Sequence, residues 1–142
     1  DEAIAYAKKH NVILVAAAGN NASDASSIVP AKLDGVITVS AVDRNLNKAQ
    51  FSNYVSNIKY GLAAPGTSIL SSWKDKRYAA FDGTSMATPH VSGLISVMRA
   101  LNPNLTQEEA YTILNDTGIN TNETYKTGKL IQPANAIKAL VK

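Results

Sequence analysis

The stretch Val12-Ile13-Leu14-Val15-Ala16-Ala17-Ala18 is apolar at every position, odd and even alike. A strand with one wet face alternates polar and apolar residues, so a strand apolar on both faces needs cover on both. Val36-Ile37-Thr38-Val39-Ser40-Ala41-Val42 has the same character, and a third strand is expected from Ile58 to Ala63, ending at Ala64-Pro65-Gly66. Such strands point to an α/β architecture in which helices cover a mainly parallel sheet.

The segments between agree. A helical pattern through Ile4, Ala5, Ala7 and Lys8 starts at once, with Asp1 and Glu2 at its front and Lys8, Lys9 and His10 at its back, as the helix dipole favours. Ser68 to Ser72 and Tyr78 to Phe81 flank the charged turn Lys74-Asp75-Lys76-Arg77 and read as an antiparallel hairpin. A helix after Gly83 should run to about Leu101, halted by Asn102-Pro103. Thr106 with Glu109 forms a capping box for a helix to about Asn115, with Gly118 as its stop. Pro133 opens a final helix, whose Ala136, Ile137, Leu140 and Val141 recur at helical spacing.

The 142 residues allow one domain, and 45% apolar content suits a globular core. A net charge of +3 is mild, and its only tight cluster lies in the hairpin turn, which gives no nucleic-acid patch. No run is long and apolar enough to span a membrane, and no signal-peptide pattern occurs in these residues. The absence of cysteine excludes disulfides and zinc–thiolate sites. Four Asn-x-Ser/Thr triplets, at Asn21, Asn104, Asn115 and Asn122, read as chance in an Asn- and Thr-rich chain.

Chemistry concentrates in Gly83-Thr84-Ser85-Met86-Ala87-Thr88-Pro89-His90-Val91-Ser92-Gly93. Gly83 frees the backbone for a sharp turn, Thr84 reads as the N-cap, and Ser85 follows at the mouth of a helix of small residues. There the N–H groups and the positive helix end suit a developing oxyanion. Taken alone, the segment also fits a capped, small-residue core helix. Asn20 falls just beyond the carboxyl end of the first strand, where open α/β sheets gather their ligands. Its amide can donate to the same oxygen, although alone it also reads as a turn asparagine.

A serine nucleophile needs a base, and the base needs an orienting acid. His10 precedes the first strand, so it stands about 25 Å from Asn20 at the wrong sheet edge. His90 points about 140° around the helix from Ser85, which suits a buried or helix-flanking histidine. Asp82 is adjacent, but an aspartate without an imidazole completes no triad. These residues hold half of an active site.

Gly83–Gly93, together with Ala18-Gly19-Asn20, resembles the nucleophile and oxyanion segments of the subtilisin-like serine proteases, the subtilases. The resemblance covers essentially all 142 residues but only the C-terminal half of that family's catalytic domain. It implies a three-layer subtilisin-like fold with helices on both faces of the sheet, residues 1–142 forming the C-terminal half. It implies a serine endopeptidase in which Ser85 is the nucleophile and Asn20 belongs to the oxyanion hole. The triad Asp and His would come from an N-terminal half, carried on Asp-Thr/Ser-Gly and His-Gly-Thr segments that do not occur here. That half, as a separate chain after cleavage, is the expected partner, beside a protein or peptide substrate. A processed two-chain enzyme and an expressed fragment both explain a chain that opens on Asp1, and processing is the preferred explanation.

Substrate-side roles follow from the same resemblance. Ala16, Ala17, Ala18 and Gly19 are similar to the strand end lining the S1 pocket. Val29-Pro30 and a shortened loop from Asn21 to Ile28 stand at its other wall. Phe51 and Phe81 match S1′ positions, and equally fit core aromatics. Asp82, Gly83 and Thr84 flank the nucleophile on the substrate side. Backbone around Ala31, Leu33 and Val36 resembles a weak cation site, so structural calcium is an expectation, while catalysis needs no cofactor. Cysteine-free composition is compatible with a bacterial secreted protease, extracellular or at the cell surface. Two other readings stand beside this one: a pseudoprotease that only holds peptide, and an α/β-hydrolase, whose elbow needs glycine where this chain has Ala87.

Overall fold

The computed structural model describes residues 2–141. Asp1, counted above in the acidic first turn, lies outside them. Helix α1 (Glu2–Lys9) leads into β1 (Leu14–Ala17), and a 3-10 turn (Ala25–Ser27) precedes β2 (Val36–Val42) and β3 (Gly61–Pro65). The hairpin β4 (Ile69–Trp73) and β5 (Arg77–Phe81) delivers the chain to α2 (Thr84–Leu101). After it come α3 (Gln107–Thr117), the short α4 (Thr124–Thr127), β6 (Lys129–Leu130) and α5 (Pro133–Leu140).

The main sheet has the order β1-β2-β3-β6, and every pairing in it is parallel. Strand β2 spans the expected residues and is buried at all positions. Its odd-numbered residues Ile37, Val39 and Ala41 join a core built with Ala87, Val91, Leu94 and Met98 of α2, Leu114 of α3 and Ala136 of α5. Its even-numbered residues face the other way, and two of them are polar for a reason. Thr38 donates its hydroxyl to the Ala31 carbonyl at 2.7 Å, and Ser40 donates to the Thr127 carbonyl at 2.8 Å. Buried hydroxyls thus fasten the loops and α4 that cover this face, and each is satisfied.

The first strand is shorter than its apolar run. Val12 is exposed, and regular pairing begins only at Leu14, opposite Val36. It is also an edge strand among the described residues: β2 pairs with one side, and its other side carries no strand. The third strand likewise starts later than expected, at Gly61, because residues 56–57 and 59–60 lie in turns. The start of α3 agrees with its local signal. The α3 capping box forms in both directions, with the Glu109 carboxylate accepting from the Thr106 amide at 2.8 Å. No helix of the described residues is long and apolar enough to cross a membrane.

Candidate active site at the start of helix α2

The site forms where the chain leaving β1 meets the start of α2. Thr84 was expected to cap the helix with its own hydroxyl, and it does not. Gly83 occupies the N-cap position, and Thr84 is already helical and fully buried. Its amide and its hydroxyl both donate to Asn20 Oδ1, at 2.9 and 2.8 Å, while the Gly19 amide donates to Thr84 Oγ1 at 3.2 Å. A side chain from another element therefore serves as the cap, and the threonine hydroxyl fixes the side chain that does so.

This arrangement sets which donors remain. The Gly83 amide is used by the Gly66 carbonyl at 2.8 Å, and the Met86 and Ala87 amides turn back to the Gly83 carbonyl at 3.0 and 3.2 Å. Asn20 Oδ1 takes the Thr84 amide. Among the described residues, the Ser85 amide and Asn20 Nδ2 make no hydrogen bond, and neither does the exposed Ser85 hydroxyl. With Asn20 held through its oxygen, its amide nitrogen is the end left free. Two unspent N–H donors beside a free hydroxyl, at a positive helix terminus, is what an oxyanion requires.

Ser85 opens on a groove of about 310 Å³ between β4 and α2, lined by Ile69, Leu70, Ser71, Met86, Pro89 and His90. The His90 Nδ1–H donates to the Met86 carbonyl at 3.0 Å, and the ring is exposed. His90 thus flanks the helix without being buried, and it is tied to its own turn. Asp82 accepts the Ser68 amide at 2.7 Å, so this carboxylate braces the entry to β4. His10 packs its ring against Tyr6 at 4.4 Å in a tilted contact, before the start of β1.

The expected substrate-side residues divide. Ala16, Ala18 and Gly83 are buried in the chain's own packing, whereas Ala17 and Gly19 are half-buried where the strand ends. Val29 is 63% exposed. The loop before it is pinned by Asp24, whose carboxyl lies below the usual range because the Ser26 amide bonds to it. Phe51 is half-buried against the main core, and Phe81 is exposed, 4.8 Å from the Trp73 ring. The backbone expected to take calcium is committed elsewhere: the Ala31 carbonyl accepts from Thr38, and the Leu33 carbonyl from the Val36 amide. No three His, Asp or Glu side chains gather as a metal cage among the described residues.

One residue of the site escaped the sequence reading. Asn53 is fully buried and binds the backbone of the loop that carries Asn20. Its partners stand 30 to 35 residues away, so no local pattern could have revealed it.

Fold and site together define a parallel α/β protein with a serine-centred site at the strand ends. The chain belongs to the subtilase family, whose pattern matches residues 1–136. It is 36% identical over 131 residues to subtilisin DY of Bacillus licheniformis, covering 90% of this chain and 47% of that protein. It is 44% identical over 102 residues to the subtilisin-like proteinase Mp1 of Magnaporthiopsis poae, covering 70% of this chain and 25% of that one. The structure of a protease from Pseudoalteromonas arctica superposes with a TM-score of 0.90 at 30% identity, over 98% of this chain and 46% of the other. A cold-adapted subtilisin-like serine proteinase gives 0.83 at 34% identity, over 92% and 48%. The chain thus spans about half the length of subtilisin DY and of these two structures.

Proposed function

We propose that this chain carries the nucleophile and oxyanion hole of a serine endopeptidase, and that an N-terminal segment of the same protease supplies the triad His and Asp. The carrying observation is the pair of free donors, Ser85 N–H and Asn20 Nδ2, beside a free Ser85 hydroxyl. Ser85 Oγ attacks the scissile carbonyl carbon as the incoming histidine takes its proton. Negative charge collects on the former carbonyl oxygen, where the two donors hold it. Collapse breaks the C–N bond, and the proton passes to the leaving amine. Water then cleaves the acyl-enzyme and regenerates the hydroxyl.

The second polypeptide docks along the free edge of β1 and over the groove at Ser85. An edge strand with unpaired backbone groups and an apolar groove lined by Ile69, Leu70 and Met86 support this reading. As in secreted bacterial subtilisins, the assembled enzyme acts outside the cell on protein or peptide substrates. A fluorophosphonate probe provides the test. Ser85 should be labelled in the assembled protease, with no labelling of the Ser85→Ala variant and none of the isolated chain. Comparable labelling of the isolated chain overturns the divided triad. An assembled protein that holds peptide but resists the probe would be a scaffold, not an enzyme.

A further inference from the structure

We propose that Asn53 is a positioning residue for Asn20: its buried carboxamide holds the loop in the shape that presents Asn20 Nδ2 beside Ser85. This rests on the oxyanion reading above. Asn53 Nδ2 donates to the Ala18 carbonyl at 2.9 Å, while its Oδ1 accepts the amides of Asn21 and Ser23 at 2.9 and 3.0 Å. Its own amide donates to the Gly19 carbonyl at 2.9 Å. The bonds fall on both sides of Asn20 in sequence and leave that side chain free to turn toward α2.

The clamp is itself anchored. Ser52 Oγ accepts the Ala41 amide of β2 at 2.9 Å and donates to the Asn53 carbonyl at 2.9 Å. The Lys48 ammonium donates to the Ala49 and Ser52 carbonyls at 3.0 and 2.8 Å, closing the same turn. Contact with the loop is close enough to dictate its sequence. Gly19 has φ +101°, and a Cβ there would lie 2.5 Å from Asn53 Nδ2, so glycine alone fits over the carboxamide.

Burying an amide costs free energy unless every polar atom is matched, and here donor and acceptor are both spent on one short loop. An apolar residue of similar volume would leave the Ala18 carbonyl and the Asn21 and Ser23 amides without partners. The loop would relax, and Asn20 would leave its place. An oxyanion donor works only about 2.7–3.1 Å from the oxygen, so small displacements act on the transition state and not on substrate binding.

The test uses the assembled protease with Asn53→Leu, Asn53→Ser and Asn53→Asp, each alone and combined with Asn20→Ala. Asn53→Leu should lower kcat on the order of 10- to 100-fold with little change in KM, the loss expected of a misplacement near 1 Å. In the Asn20→Ala background the same substitution should cost less than about 3-fold, because the donor it positions is gone. Asn53→Asp keeps both accepted amides and should recover part of the loss. Equal losses in both backgrounds, or wild-type kcat in the Leu and Ser variants, overturn the proposal. If Asn53→Leu does not fold, the Ser and Asp variants decide by the same comparison. Unchanged kcat in Asn20→Ala alone refutes the oxyanion reading and takes this proposal with it, a failure visible in that single arm.

Discussion

Asn20 does two things with one carboxamide, and substitutions can separate them. Its oxygen caps α2 through the Thr84 amide and hydroxyl, and its nitrogen, which makes no hydrogen bond among the described residues, is the proposed oxyanion donor. Asn20→Ala removes both. Loss of the cap should cost about 1 kcal/mol, and the buried Thr84 hydroxyl, deprived of its acceptor, about 1 kcal/mol more. In a protein of the size of the relatives, that lowers Tm by about 3–4 °C. Catalysis should fall on the order of 10²–10³ in kcat with KM little changed, the factor known for the oxyanion asparagine of a subtilisin. Asn20→Asp keeps an oxygen for both Thr84 donors, and a negative charge at a helix start adds about 0.3–1 kcal/mol. It should therefore melt at or above the wild-type temperature while losing at least as much kcat as Asn20→Ala, since an anion now faces the oxyanion. Calorimetry and steady-state kinetics on the assembled protease give both readings. An Asp variant that melts as low as the Ala variant refutes the capping role, and an Ala variant with wild-type kcat refutes the donor.

Two further outcomes are expected. The Thr106 amide holds the Glu109 carboxyl below its ordinary value of 4.5, so its contribution to stability is complete above that pH and is lost as pH falls through the depressed folded value. Urea midpoints measured down that range should show this loss, and Glu109→Gln should remove that part of the pH dependence. Gly128 has φ +71°, and a Cβ there would lie 2.5 Å from the Gly61 carbonyl, so Gly128→Ala should destabilise by about 1–3 kcal/mol, read as a lowered denaturation midpoint.

Where local chemistry decides, the sequence was readable. The two-sided run Val36–Val42 is the buried strand β2, the Thr106–Glu109 capping box opens α3, and α2 stops at Leu101, just before Asn102-Pro103. Elements set by distant partners were not readable. Strand β6 is two residues long and exists because Lys129 and Leu130 pair with Leu62 and Ala63, not through any pattern of its own. The same division runs through the site. The placement of Ser85 at the start of α2 and of Asn20 beyond the end of β1 was legible from their neighbours in the chain. Thr84 seemed a self-sufficient cap because local propensity says nothing of an Asn20 oxygen arriving from 64 residues away. Asn53 had no local signature at all.

The free edge of β1 has a metrical consequence. A strand that pairs along it must choose a register, and its choices differ by one residue, about 3.3 Å of travel and a reversal of which side chains face each side. A proton passing between hydroxyl and imidazole tolerates far less than that step, since the heavy atoms must come within about 2.6–3.2 Å. In the proposed assembly the ladder of N–H and C=O groups on Leu14–Ala17 would act as a ruler, converting the choice of strand pairing into the spacing between two halves of a reaction centre.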